Sequence, residues 1–170
     1  MNSGGYHPDY APQVKARVYI LPVATVLIAS LLTAWPAIVS APIIPPLGLM
    51  LLLSWRLLRN DVWPVWAGLP LGFVDDLYSG HPLGTAMFSW TVILISLSLL
   101  DTRIIWRTYW LEWIIGAVAL TFALITGGLL ARVGGFATLL PLIAPQLVLS
   151  ILLMPLFIQL VSLLDRWRLR

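Results

Sequence analysis

The sequence predicts an all-α integral membrane protein, a bundle of six transmembrane helices of which two are short. Hydrophobic residues fill 60% of the 170 positions and charged residues 10%, too little polar surface to cover a water-soluble domain, so lipid must supply part of the solvent. The apolar residues fall into six runs separated by charged or proline-rich connections. The Lys and Arg residues are distributed among those connections as the positive-inside rule expects of six crossings.

Residues 1–17 are polar, with Gly4, Gly5, Pro8 and Pro12, and cannot bury enough apolar area to fold alone. They are expected to form a flexible cytoplasmic tail ahead of a transmembrane domain at 18–164. The first span runs from Val18 to about Ser40, long enough at 1.5 Å per residue to cross a hydrocarbon core of ~30 Å. It exceeds the apolar stretch of about 7–15 residues in a signal peptide, so the cleavage-like Val39, Ser40 and Ala41 are not expected to be processed. The segment "APIIPP" at 41–46 carries three prolines and predicts an extended connector.

The second and third runs, about Leu47–Leu58 and Val62–Val74, are the short ones. Each covers only about 18–20 Å as a helix and must borrow flanking residues, thin the bilayer or hide behind other helices. The fourth span is expected at about Pro82–Leu100 and the fifth at about Leu111–Ala131. The sixth, about Leu139–Leu164, contains Pro141, Pro145 and Pro155, which predict kinks that neighbouring helices must accommodate. A basic tail at 165–170 closes the chain.

Lys15, Arg17, Arg56, Arg59, Arg103, Arg107, Arg166, Arg168 and Arg170 all fall on one side of the six-span arrangement, leaving Arg132 on the other. Both termini are therefore expected in the cytoplasm. Trp55, Trp63, Trp106, Trp110, Trp113 and Trp167 are expected as interfacial anchors near the cytoplasmic charges. A net charge of +3 placed in this way reflects topology rather than a basic patch for nucleic acid, and no such partner is expected. With no cysteine and two histidines far apart, His7 and His81, neither a metal site nor a histidine-based triad is expected, and no cofactor is implied.

The polar feature that needs explaining is "GFVDDLYSGHPLG" at 72–84. A carboxylate near a bilayer is costly unless it lies at a span's end or does a job. Asp76 is expected to staple an outward turn by accepting N–H bonds from residues 78–80, with Ser79 and Gly80 in the turn and Pro82 opening the fourth helix. Asp75 is expected to be solvated at the outer interface. Adjacent residues on a helix point about 100° apart, so the pair is not expected to share a proton as an acid/base dyad. Gly68 and Gly72, four apart, are expected to let another helix approach closely. Gln146, Gln159, Thr121, Thr126 and Ser89 are the scattered polar residues of the spans, candidates for a pocket lining or for interhelical hydrogen bonds.

The proline-led helix ending in basic residues, followed by Gly68 and Gly72 and then the Asp-Leu-x-x-Gly-x-x-Leu-Gly turn, resembles MreD, the rod shape-determining membrane protein family. The matching residues are Pro46, Gly68, Gly72, Asp76, Leu77, Gly80, Leu83 and Gly84. The chain departs from the family at Leu47 and Gly48, where an acid often follows the leading proline, and at Asp75, where an apolar residue is usual. The resemblance implies a six-helix fold similar to the substrate-binding subunits of vitamin importers. It also implies a non-enzymatic scaffolding role beside MreC in the bacterial inner membrane. MreB filaments, RodZ, the RodA glycosyltransferase and its penicillin-binding transpeptidase partner would be the other members of the machinery. The alternative is a small-molecule-binding or transport subunit with a pocket inside the helix bundle.

Overall fold

A computed structural model of the chain describes residues 11–33, 44–80, 82–101, 108–131 and 136–168, without the side chains of 11–19, 136–139 and 168. These residues form α1 (Ala11–Thr33), α2 (Leu47–Leu58), α3 (Gly68–Ser79), α4 (Thr85–Asp101), α5 (Tyr109–Leu130) and α6 (Phe136–Arg168). A single 3-10 turn, Val65–Ala67, leads into α3, and no strand occurs among the described residues. Tyr109–Leu130 and Leu140–Trp167 are long and apolar enough to cross a membrane by themselves.

The short helix α2 holds the fold together. Every residue from Gly48 to Leu57 is buried. The other helices form a ring around it, with α1 against α3, α3 against α4, α4 against α5, α5 against α6, and α6 back against α1. A helix that is apolar on all sides is stable only where protein or lipid surrounds it completely. Of the three options open to a short span, α2 takes the third and hides behind its neighbours, so its length need not match the bilayer.

Several helix ends differ from expectation. Helix α1 begins at Ala11, inside the segment expected as a tail; Pro12 fits its first turn, where a missing N–H costs nothing. The end of the first span beyond Thr33, Arg103, Trp106, Arg107 and Arg132 lie outside the described residues. Helix α3 starts later than expected and continues through both carboxylates to Ser79, because nothing breaks it before Gly80, whose φ of 69° ends it in the left-handed conformation. Helix α6 runs past the expected Leu164 to Arg168.

Two of the tryptophans expected at the interface are instead internal. Trp55 and Trp63 are 0% and 5% exposed, and the Trp55 indole N–H donates to Thr25 Oγ1 at 3.0 Å. Trp113 is half-buried and donates to the Ile151 carbonyl at 3.1 Å. That carbonyl lies four residues before Pro155, which has no N–H to offer it, so α5 supplies the donor that α6 lacks. Trp110 and Trp167 are exposed as expected, and so is Trp66 beside α3.

The C-terminal ends of α2, α4 and α6 are joined by ion pairs. Arg56 Nη2 lies 2.6 Å from Asp101 Oδ2, and Arg59 Nε lies 3.0 Å from Asp165 Oδ2. A carboxylate at a helix C-terminus is disfavoured by the macrodipole, and the guanidinium groups from α2 offset this. The Arg56 side chain is 6% exposed and that of Asp101 18%, so removing Arg56 breaks a largely buried ion pair. Arg56→Met is therefore expected to cost about 3 kcal/mol. Arg56→Met/Asp101→Leu should recover most of that loss, measured as thermal stability in detergent.

Candidate functional site

The residues of the Asp75–Gly84 stretch meet where α3 crosses α4. Asp76 is 3% exposed and points along the crossing into the first turn of α4. Its Oδ2 accepts from the N–H groups of Gly84 at 2.9 Å and Met87 at 3.2 Å, and its Oδ1 from that of Ala86 at 2.8 Å. The donors expected at 78–80 are thus replaced by donors eight to eleven residues away. The physical reason is that α3 is still helical at Asp76, so its own turn has no free N–H. The start of α4 does, and the positive end of its dipole favours the anion. Pro82 precedes α4 rather than opening it, and its carbonyl accepts from both the N–H and the hydroxyl of Thr85.

Gly68 and Gly72 make this crossing close. A β-carbon on Gly72 would lie 2.6 Å from the Met87 nitrogen and 2.7 Å from the Ala86 carbonyl atoms. One on Gly68 would lie 2.7 Å from the Thr91 nitrogen. These are backbone atoms of α4, so the two helices touch main chain to main chain. Gly84, at φ 98°, completes the turn in a conformation that L side chains rarely adopt. Leu77 and Leu83 are exposed, at 54% and 69%.

Asp75 is less exposed than a fully solvated acid. It is half-buried and turned toward α2, where its Oδ1 lies 3.0 Å from the point a β-carbon on Gly48 would occupy. The same point meets Ser30 Oγ of α1 and the Trp90 ring of α4. The adjacent acids thus lie near two different helix starts, as their ~100° separation on α3 allows. Gly48 leaves room for that carboxylate at the first turn of α2, which has no side-chain cap of its own. Asp75→Ala is expected to cost about 1 kcal/mol through loss of a favourable charge at this N-terminus. Unfolding in detergent should rank it between a surface substitution and Asp76→Ala.

A cavity of about 360 Å³ opens beside this crossing. Asp75, Asp76, Ser79, Ser89, Trp90 and Gln146 line it together with apolar residues of α5 and α6. Of the scattered polar candidates, Ser89 and Gln146 are therefore brought together, and Gln146 Nε2 donates to the Ile44 carbonyl at 2.6 Å. The others are not. Thr121 donates to Ala117 of its own helix, Gln159 is exposed on α6, and Thr126 is half-buried away from the lining. The closeness of Gly48 to other helices and the ion pairing of Arg56 escape sequence reasoning because each depends on residues of another helix. Among the described residues no group of three or more His, Cys, Asp or Glu side chains could hold a metal ion.

Compared with known protein families, residues 14–165 match the rod shape-determining protein MreD. The chain belongs to the MreD family. The match runs from α1 to the ion-paired Asp165, so it covers the whole helical ring and its central helix. Membership makes this a membrane protein of rod-shape determination, in a family described by shape rather than by catalysis. No curated protein and no solved structure matches the chain. The expected likeness to vitamin-importer subunits consequently has no support; the fold is a ring of five helices around α2.

Proposed function

We propose that this MreD-family chain is a non-enzymatic scaffold of the bacterial inner membrane that supports lateral peptidoglycan synthesis together with MreC. The family match over residues 14–165 carries this reading. MreB, RodZ, RodA and its penicillin-binding transpeptidase partner are the proposed fellow members of the machinery. A tightly packed crossing of α3 and α4, locked by Asp76 and two glycines, suits a part that must hold its shape while partners assemble on it.

In this reading the chain crosses the bilayer six times with both termini cytoplasmic. The nine basic residues on one side support it. So does the gathering of the α2, α4 and α6 C-termini through Arg56–Asp101 and Arg59–Asp165, since alternating crossings bring those three ends to one side. Reporter fusions after Asn60 and Tyr109 should be cytoplasmic, and fusions after Ser79 and Phe136 extracytoplasmic. A cytoplasmic signal at Ser79 would end the six-crossing topology.

Depletion in the native cell tests the role itself. Rounded cells that keep depositing wall at disordered sites are the expected result. A growth defect rescued by a nutrient would instead favour the transport alternative, for which the cavity beside Asp75 would be the place to look.

A further inference from the structure

The lipid-facing surface of the ring is shorter on one side than on the other. On α5 the exposed apolar side chains extend from Trp110 to Leu130, about 30 Å at 1.5 Å per residue, and on α6 from Leu140 to Leu163, about 35 Å. On α4 they extend from Phe88 to Leu100, about 18 Å, and the exposed Leu83 in the turn before it adds about 7 Å. Beside them, the exposed stretch from Trp66 to Tyr78 rises about 19 Å, allowing for the 3-10 turn. The two ends of α4 are tied to other helices, one by the Asp76 carboxylate and the other by the Arg56–Asp101 pair.

We infer that the α3–α4 side of this protein contacts a locally thinned bilayer, so that the protein imposes a step in membrane thickness between its two sides. The inference rests on the bilayer-spanning reading but not on the scaffold role. A helix longer than the hydrocarbon core of ~30 Å can tilt to fit, whereas a shorter one leaves the lipid to adjust. The buried α2 is short without consequence, because no lipid reaches it.

The short side is bracketed by interfacial residues, which identifies lipid as its occupant. Trp66 is 66% exposed at one end and Tyr78 48% exposed at the other, with Leu69, Phe73 and Leu77 exposed between them. Trp and Tyr are enriched where the apolar core meets the headgroups, so a pair about 19 Å apart marks two interfaces closer together than in an undisturbed bilayer. Asn60 and Asp61, exposed just before the Trp66 end, continue into the aqueous side.

The absence of cysteine from the chain makes the test direct. Single variants Trp66→Cys, Tyr78→Cys, Trp110→Cys, Leu130→Cys and Val118→Cys carry a nitroxide label, and the full chain is reconstituted in dioleoyl phosphatidylcholine vesicles. Label depth follows from the ratio of oxygen to nickel-chelate accessibility. The labels at 66 and 78 should both lie at headgroup depth with a separation of about 20 Å, roughly two thirds of that between positions 110 and 130. A label at 66 or 78 lying well inside the hydrocarbon would show that the bilayer keeps its thickness and would overturn the inference. Labels at both positions shielded from oxygen and nickel alike would also overturn it, since protein would then cover the face. Position 118, at mid-height on α5, separates the two levels of the argument. An aqueous label there would remove the bilayer-spanning reading itself, whereas a deep label leaves that reading intact whatever the labels at 66 and 78 report.

Discussion

Asp76→Ala is expected to destabilise the protein by about 3 kcal/mol, and in cells to reduce its abundance and the fraction of rod-shaped cells. The carboxylate accepts three N–H bonds at the start of α4 while 3% exposed. A hydrogen bond to a charged group contributes about 1.5–3 kcal/mol, and donors left unpaired in a buried place cost about 1–3 kcal/mol, although losses at one site do not simply add. Asp76→Asn keeps one acceptor oxygen but turns an NH₂ group toward the remaining donors, so it should retain part of the stability that alanine loses. Asp76→Glu should be damaging too, because the crossing has no room for an added methylene. Chemical denaturation in detergent, together with protein abundance, distinguishes these variants. An Asp76→Ala protein as stable as the parent would remove the cap from the account of this fold.

How much of this was legible in the sequence depends on the range of the interaction involved. Helix α2 begins at Leu47 and ends at Leu58, where the sequence expects it to, because Pro45 and Pro46 before it and Arg59, Asn60 and Asp61 after it are local signals. Its place at the centre was not legible. An apolar run of that length is equally compatible with a span in lipid and a helix inside protein, and only the surrounding helices decide. Trp55 and Trp63 show the same limit, since a tryptophan beside arginines suits an interface as well as a core. The functions of Asp75 and Asp76 depend on the starts of two other helices. Their periodicity could show that they diverge, but not toward what. The expected turn staple failed for the same reason, since local turn chemistry was invoked where a neighbouring helix supplied the donors. The close approach at Gly68 and Gly72 was readable as spacing, but its partner, α4, was not.

Gly72→Ala is expected to be nearly as harmful as Asp76→Ala, although it adds a single methyl group. The new β-carbon would stand 2.6 Å from the Met87 nitrogen and 2.7 Å from the Ala86 carbonyl oxygen. A side chain in the way could swing aside, but these are backbone atoms of a helix, so α3 and α4 must separate. Overpacking of this kind costs about 1–3 kcal/mol. The separation has a second effect, because Ala86 and Met87 also donate to Asp76, one helical turn further along α3. Moving α4 away stretches the bonds that fix its first turn, and the two changes therefore act on one contact. In a double-mutant cycle, Gly72→Ala/Asp76→Ala should lose less stability than the sum of the single losses, with a coupling of about 1 kcal/mol. Gly80→Ala makes the control. Nothing lies within 4 Å of its β-carbon, so it should show only the backbone strain of its positive φ and no coupling to Asp76. Additive losses for Gly72 and Asp76 would mean that the glycine groove and the carboxylate cap are separate devices rather than one.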